Sequence, residues 1–155
     1  DIPLLLKGIM TAEDAALAVD HGVNGVYISN HGGRQLDHVL GNIQMLPEII
    51  EAVDGKADVF IDGGFTRGTD IVKALAMGAK AVGIGRLQAW ALGAAAADGV
   101  VRCLELLEKE ITTTMGLIGA TSLDQLGPEL ITPAMPVTLP HEFSAFPHLP
   151  GGRIT

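Results

Sequence analysis

Short runs of apolar residues recur along the chain, separated by longer segments that have a helical pattern. Four of these runs are nearly continuous in apolar residues, as expected for parallel strands that are covered on both faces. Each run is therefore predicted to be a β-strand. The four predicted strands span Leu4 to Lys7, Gly25 to Ser29, Asp58 to Asp62, and Ala81 to Gly85.

The segments between the predicted strands carry the start and stop signals of helices. TAEDAALAVDHG has an acidic first turn and ends in Gly22, and NIQMLPEIIEAVDG and RGTDIVKALAMGA fit a similar pattern. A long helix is predicted from about Gln88 to Gly116. From Pro133 onward the chain is rich in Pro and Gly, which predicts a wrapping or loose tail.

A helix-Gly-strand unit occurs twice in the same register. A shift of 56 positions places Asp14 on Asp70 and Gly22 on Gly78. The alternation of strands and helices predicts an α/β fold with right-handed crossovers. Four such units make half of an eight-stranded barrel. A small open doubly wound sheet is the alternative that the pattern leaves open.

Polar residues cluster at the carboxyl end of each predicted strand. These clusters are Lys7, the SNHGGR segment from Ser29, the DGG segment from Asp62, and the GIGR segment that ends at Arg86. Ligands of parallel α/β folds bind at the carboxyl ends of the strands. The sequence therefore predicts a binding site at this edge of the sheet.

The DGGFTRGTD and GIGR segments together predict a phosphate site. Two glycines after a strand let the backbone approach an anion closely, and the next helix presents free N–H groups at its start. Arg86 adds a planar cation that suits phosphate. The loops after the last two strands of a barrel often form such a site. Each segment alone is a weak signal, because glycines also serve ordinary turns.

His31 and Arg34 form a candidate reactive pair. A His can take a proton near neutral pH, and an Arg can bind a carboxylate through two parallel hydrogen bonds. The pair predicts a small acid substrate that loses a proton at or next to its α-carbon. Lys7 could place its ammonium group against the electron-rich edge of a cofactor. Two plainer interpretations stay open: His31 as a structural cap of its loop, and Lys7 as a rim residue paired with a carboxylate.

The composition narrows the class of protein. Hydrophobic residues make up 48% of the chain and charged residues 18%, which excludes disorder over most of its length. A net charge of −8 argues against a nucleic-acid partner. The longest weakly polar stretch is too short for a membrane span, and Asp98 interrupts it. Cys103 is the single cysteine of the chain, so no internal disulfide can form. We therefore expect a soluble, cytoplasmic protein. No Cys/His cluster has the spacing of a metal site.

The motifs resemble those of the FMN-dependent 2-hydroxy-acid dehydrogenase and oxidase family, which includes glycolate oxidase, lactate oxidase, mandelate dehydrogenase and flavocytochrome b2. The likeness rests on LLLKG, SNHGGRQLD, DGGFTRGTDIVKALAMGAKAVGIGR and the helix that follows, from residue 2 to about 130. It implies a (β/α)8 TIM barrel whose last four β/α units, approximately, lie in residues 1–130, followed by a Pro/Gly-rich tail in residues 131–155. It also implies FMN as cofactor, oxidation of an L-2-hydroxy acid to the 2-oxo acid, and a homo-oligomer, specifically a tetramer.

The resemblance further implies roles for single residues. His31 would be the catalytic base and would bind substrate together with Arg34, which holds the substrate carboxylate. Lys7 would contact the N1/O2 edge of the flavin, and Ser29 would touch the flavin. The cofactor phosphate would be held by Asp62, Gly63, Gly64, Thr66, Gly85 and Arg86.

Thr66 is a departure from the family pattern. Many members have Arg at this position, so one phosphate cation is missing here and the phosphate would be bound less tightly, or Thr66 would use its hydroxyl and backbone N–H instead. The neighbouring Arg67 need not point the same way.

The family's first four strands are absent from the sequence, which starts directly at a predicted strand. We expect the missing N-terminal half as a separate piece, because a half-barrel leaves two sheet edges and its apolar interior open. Two other functions stay open. One is an inosinate-dehydrogenase-like or isomerase barrel with the same phosphate motifs; the former needs a nucleophilic Cys on a loop, whereas Cys103 lies in a predicted helix. The other is a non-catalytic half-barrel that binds phosphate or self-associates.

Overall fold

The structure is a computed structural model that describes residues 2–134, and it contains one parallel sheet. Its strands are hydrogen-bonded in chain order, each to the next. The strands are β1 (Leu5–Ile9), β2 (Gly25–Ile28), β3 (Asp58–Ile61) and β4 (Ala81–Val82). All four predicted strands are confirmed, although β4 has only two residues. The tail predicted for residues 131–155 lies outside the described residues from position 135 onward.

Helices connect the strands and follow the last one. They are α1 (Ala12–Asp20), α2 (Asn42–Val53), α3 (Gly68–Ala76) and α4 (Arg86–Ile118), with short 3-10 turns at His31–Gly33, Leu123–Gln125 and Pro128–Leu130. Helix α1 begins where the Thr11 hydroxyl accepts a hydrogen bond from the Asp14 N–H at 3.2 Å. These four helices confirm the predicted helices, with one correction. Helix α4 is not continuous, because Ala95 and Ala96 leave the helical conformation, the latter with φ 51°.

The core lies between the sheet and helices α1 to α3. The register pairs Val26 with Val59 and Ile28 with Ile61, and because side chains alternate along a strand these four share one face. All four are buried, and they belong to one apolar cluster that includes Ala15, Ala18, Leu46, Ile49 and Val53 from α1 and α2. The helices therefore cover this face of the sheet.

The opposite face of the sheet is not covered in the same way within the described residues. Leu5, Tyr27 and Phe60 point to this face, and Leu5 is 44% exposed. The Tyr27 and Phe60 rings contact each other across the strands, with ring centroids 6.0 Å apart. The two faces of the sheet thus differ: one is a closed core and the other a half-open apolar surface.

The strand order bears on the doubly wound alternative that the sequence left open. A doubly wound sheet reverses its strand order at a switch point and carries helices on both faces. The sheet of residues 2–134 runs β1-β2-β3-β4 without reversal, and one of its two faces is buried while the other is partly open. The doubly wound alternative is therefore wrong for this part of the chain.

Candidate functional site

The end of β1 brings Lys7 to the carboxyl edge of the sheet. Its Nζ lies 3.0 Å from Asp62 Oδ2 and donates a hydrogen bond to Ser29 Oγ at 2.8 Å. It also lies 5.1 Å from the centroid of the Tyr27 ring, close enough for a cation–π contact. The rim ion pair left open by the sequence is thus present. The Lys7 side chain nevertheless stays 42% exposed.

The turn after β2 is held by its own side chains. Ser29, 1% exposed, accepts a hydrogen bond from the His31 N–H at 3.2 Å, and Asn30 Oδ1 accepts one from the Gly32 N–H at 3.0 Å. His31 has φ 56°, a left-handed conformation that is uncommon outside glycine. These bonds fix the backbone of the turn while the side chain of His31 remains exposed.

The His31 ring lies against Gly8, where β1 has a bulge. The register between β1 and β2 shifts between Lys7 and Ile9, and Gly8 has φ +104°. A Cβ atom at Gly8 would lie 2.9 Å from His31 Cε1, closer than ordinary van der Waals contact. Gly8 therefore makes room for the His31 ring, and the sequence pattern gave no sign of this.

A cavity of about 550 Å³ lies over the carboxyl ends of the strands. It brings together nine of the ten residues predicted for the site, and the tenth, Ser29, lies behind Lys7 as its hydrogen-bond partner. The nine are Lys7, His31, Arg34, Asp62, Gly63, Gly64, Thr66, Gly85 and Arg86. Residues that lie far apart in the chain, from Lys7 to Arg86, thus share one cavity.

Glycines and a helix start form the wall of this cavity near Arg86. A Cβ atom added at Gly64 or Gly85 would meet nothing within 4 Å, so the space beside both backbones is open. Gly64 has φ +85°, a conformation that favours glycine. Helix α4 begins directly after Gly85, so its first N–H groups lie at the cavity without intrahelical partners. This wall suits an anion, and in particular a phosphate group.

The guanidinium group of Arg86 extends toward the turn that carries His31. A Cβ atom at Gly32 would lie 3.6 Å from Arg86 Nη2, so the two loops approach each other over the cavity. Neither Arg86 nor Arg34 forms an ion pair within residues 2–134. Both residues are exposed and line the cavity, where they could bind an anionic ligand.

Thr66 and Arg67 have other partners. The N–H groups of Thr66 and Arg67 both donate to Asp70 Oδ2, at 3.2 and 3.0 Å. Arg67 Nε and Nη2 lie 2.8 and 2.7 Å from Glu110 Oε1 on α4. The Thr66 N–H, which could replace the missing family Arg, is thus paired with Asp70 in this structure, while its role at a phosphate stays a prediction.

Asn42 is a residue of the site that the sequence did not reveal. It is 3% exposed, and its side chain accepts a hydrogen bond from the Asn30 N–H at 3.1 Å. It also donates to the backbone oxygen of Asp62 at 2.7 Å and to Asp62 Oδ1 at 3.3 Å. An Asn in the first turn of a predicted helix is usually exposed or a cap, so its type gave no signal.

The charges of the site also act on the phenol of Tyr27. Burial first, and then the negative charge of Asp62, raise the pKa of Tyr27 above its ordinary value. Tyr27 is therefore a neutral hydrogen-bonding group near pH 7.

No group of three or more metal-ligating side chains occurs within residues 2–134. Among the same residues, no helix combines the length and the hydrophobicity needed to cross a membrane.

Comparison with known proteins places this geometry in a family. The family model described as FMN-dependent dehydrogenase matches residues 1–133. The chain is 50% identical over 125 residues to an L-lactate oxidase of Nostoc sp., covering 81% of the chain and 34% of that protein. It is 48% identical over 130 residues to 2-hydroxyacid oxidase 1 of Homo sapiens, covering 84% of the chain and 35% of that protein. The chain thus spans about a third of the length of these relatives.

A solved structure agrees with the sequence relatives. A mandelate oxidase variant with the monooxide FMN adduct superposes with a TM-score of 0.77 at 52% identity, over 80% of this chain and 40% of that one. FMN is accordingly the cofactor of the matched family. The resemblance drawn from the SNHGGRQLD and DGGFTRGTD motifs is thereby confirmed: the chain belongs to the FMN-dependent dehydrogenase family.

Proposed function

We propose that this chain forms the C-terminal half of a (β/α)8 barrel that oxidises an L-2-hydroxy acid with FMN. The observation that carries the proposal is the single cavity that collects Lys7, His31, Arg34 and Arg86 at the carboxyl ends of the strands. Active sites of (β/α)8 barrels lie at this edge. The family membership and the relatives that act as lactate, mandelate and 2-hydroxyacid oxidases support the same chemistry.

The barrel itself is supported by the sheet. Its strands follow one another in chain order, and its second face is apolar and partly open at Leu5, Tyr27 and Phe60. The relatives are about three times as long as the matched segment. We therefore propose that four further β/α units complete the barrel, that residues 1–130 form its second half, and that residues 131–155 form a tail. The homo-oligomer, specifically a tetramer, stays a prediction.

The cavity wall near Arg86 fits the phosphate of FMN. The open sides of Gly64 and Gly85, the free N–H groups at the start of α4, and the Arg86 guanidinium would hold the phosphate, with the Thr66 hydroxyl beside them. The ammonium group of Lys7 would face the electron-rich edge of the flavin, and Ser29 would hold that ammonium in place. Asp62 and Gly63 would line the same wall.

In the reaction, a 2-hydroxy acid loses two electrons and two protons and becomes a 2-oxo acid. Bound FMN supplies the acceptor for the hydride equivalent. Arg34 would bind the substrate carboxylate through two hydrogen bonds and so place the α-carbon beside His31. His31 would take the proton, because its exposed ring lies at the cavity and an imidazole is basic near neutral pH.

No observation favours the alternatives that the sequence left open. The residues that line the cavity include no Cys, and Cys103 lies on α4, away from it. A nucleophilic Cys at this edge, as an inosinate-dehydrogenase-like enzyme requires, is therefore not found in the described part of the chain. A non-catalytic half-barrel would have no need for an exposed His and Arg in one cavity.

The test replaces the two proposed reactive residues in the full-length protein loaded with FMN. His31→Gln should lower the rate of flavin reduction by about two to four orders of magnitude, because it removes the base and leaves Arg34 to bind substrate. Arg34→Lys should weaken substrate binding as well as rate, because Lys lacks the bidentate fork. Stopped-flow reduction with lactate or mandelate measures both effects.

His21→Gln is a matched control, because His21 caps the end of α1 and does not line the cavity. It should reduce flavin at the parental rate. If His31→Gln also does so, then His31 only shapes its turn and the base is another group. If neither variant binds FMN in a titration, the substitutions have disturbed folding, and the loss of rate then says nothing about the base.

A further inference from the structure

Asn42 connects two loops that line the cavity, the turn that carries His31 and the segment that begins at Asp62. Its Oδ1 accepts a hydrogen bond from the Asn30 N–H at 3.1 Å, directly before His31. Its Nδ2 donates to the Asp62 backbone oxygen at 2.7 Å and to Asp62 Oδ1 at 3.3 Å. The other carboxylate oxygen of Asp62 lies 3.0 Å from Lys7 Nζ. One buried amide thus links the turn of His31 to the ion pair of Lys7.

The chain makes room for this amide. A Cβ atom at Gly63 would lie 2.6 Å from Asn42 Nδ2, so only a glycine at that position leaves the amide in place. Gly63 therefore has a steric reason to be glycine that does not involve a ligand. Asn42 is also 3% exposed, and each polar atom of its side chain has a hydrogen-bond partner. Since a buried amide without partners is costly, this arrangement holds only while both loops keep their positions.

The chemistry of the contacts requires an amide. Oδ1 faces an N–H group, and Nδ2 faces two oxygens of Asp62, so one end must accept and the other must donate. A carboxylate of the same shape would place a negative oxygen against the Asp62 carboxylate. Two carboxyl groups at such a short distance do not both ionise freely. One of them would therefore retain its proton to a higher pH than an isolated carboxyl group does.

We propose that Asn42 is a positioning residue for the reaction: it sets the Asp62 carboxylate that holds Lys7, and it fixes the distance of that pair from the His31 turn. This inference rests on the proposed function for its kinetic consequence. The structural part of the inference, that Asn42 controls Lys7 through Asp62, is independent of FMN.

The test is Asn42→Asp in the full-length protein. While the introduced carboxyl group is protonated it can still donate to Asp62, so the variant should behave like the parent at low pH. As pH rises, the group ionises and repels Asp62, and Lys7 moves with it. We expect the rate of flavin reduction and the affinity for FMN to fall together, by about tenfold to a hundredfold, only on the alkaline side of this transition. The parent should show no such transition.

Asn24→Asp is a matched control, because Asn24 also uses Oδ1 to accept a backbone hydrogen bond, from the Leu4 N–H at 2.9 Å, but at the opposite edge of the sheet. It should leave both pH profiles unchanged. A readout that needs no cofactor is the Lys7 ε-methylene NMR signal of the apoprotein, assigned with Lys7→Arg. In Asn42→Asp this signal should shift with the same pH transition.

The outcomes separate the two proposals. If the Lys7 signal and the kinetic constants of Asn42→Asp follow the parent at every pH, Asn42 is not a positioning residue. A pH-independent loss of melting temperature with unchanged Lys7 signal also overturns the inference, since it shows a merely structural role. If the Lys7 signal shifts as expected but the parent neither binds FMN nor accepts electrons from 2-hydroxy acids, the inference about Asn42 stands and the proposed function fails.

Discussion

Two cation–carboxylate pairs flank the glycine-rich segment after β3, and they place their cations on different sides of it. Lys7 pairs with Asp62 at 3.0 Å and lines the cavity, where the two side chains are 42% and 21% exposed. Arg67 pairs with Glu110 at 2.7 Å, where the two side chains are 66% and 31% exposed, and it does not line the cavity. Both pairs are short, yet only one supplies charge to the site.

The element that carries the carboxylate explains the difference. Asp62 ends β3 and is held by Asn42, so the cation that it attracts stays at the sheet edge. Glu110 lies on α4, and it also accepts a hydrogen bond from the Gly68 N–H at 2.7 Å. This bond fixes Glu110 at the start of α3 and holds Arg67 there. For Lys7 and Arg67, the partner carboxylate therefore decides whether the cation lines the cavity, and closeness to a sequence motif does not.

Removing each cation in turn tests whether Lys7, and not Arg67, contributes its charge to the reaction. Lys7→Met in the full-length protein should slow flavin reduction by about two to three orders of magnitude, because it removes the positive charge that we propose beside the flavin. Arg67→Met should leave the rate unchanged, because its guanidinium faces α4. Stopped-flow reduction at saturating FMN compares the two variants. Equal losses in both would show that Lys7 acts only through the stability of the sheet edge.

Arg86 offers a second comparison, on cofactor binding. Arg86→Ala should weaken FMN binding by about 1.5–3 kcal/mol, as expected for a charge-assisted hydrogen bond, which corresponds to about tenfold to 150-fold in Kd. Arg67→Ala should leave the Kd within about twofold, since Arg67 lies outside the cavity lining. Flavin fluorescence titration of the two apoproteins measures both. An unchanged Kd in Arg86→Ala would remove Arg86 from the phosphate site.

Sequence reasoning predicted the parts of this structure that depend on local pattern. The four apolar runs gave the strands, and the polar residues that follow them gave the cavity lining, because parallel strands bring their carboxyl ends to one edge. His31, Arg34 and Arg86 are examples, because each lies a few residues after the end of a strand. This order along the chain is enough to predict that they lie near one another.

The sequence did not predict contacts between side chains that are far apart in the chain. Arg67 is held by a residue 43 positions away, and Asn42 by one 20 positions away, and no spacing rule indicates either contact. The break in α4 falls in an alanine-rich stretch, where helix propensity is highest and predicts no interruption. Tertiary packing overrides local preference at such places. The hydrogen bond from the Thr66 N–H to Asp70 is another contact that the sequence did not predict.

The smallest expected effect concerns the stability of the outer pair. Hydrogen bonds from Arg67 first, and then from the Gly68 N–H, hold the pKa of Glu110 below its ordinary value. A carboxyl group whose pKa is lowered by folding adds stability that is fully present above its unfolded pKa and is lost as pH falls through the folded pKa. Glu110→Gln should therefore lower the melting temperature slightly at pH 7, and the difference from the parent should disappear in acid.

Glu105→Gln is the matched control for this prediction, because Glu105 pairs with Arg102 within α4 while both side chains remain more than half exposed. Such an exposed pair within one helix contributes little, so this variant should melt close to the parent at every pH. Thermal melts of the three proteins between about pH 3 and pH 7 test both expectations, a range that includes the ordinary Glu pKa of about 4.3. A constant difference between Glu110→Gln and the parent across this range would mean that shape, and not charge, holds Arg67 against α4. Arg67 would then stay outside the cavity even when Glu110 is neutral.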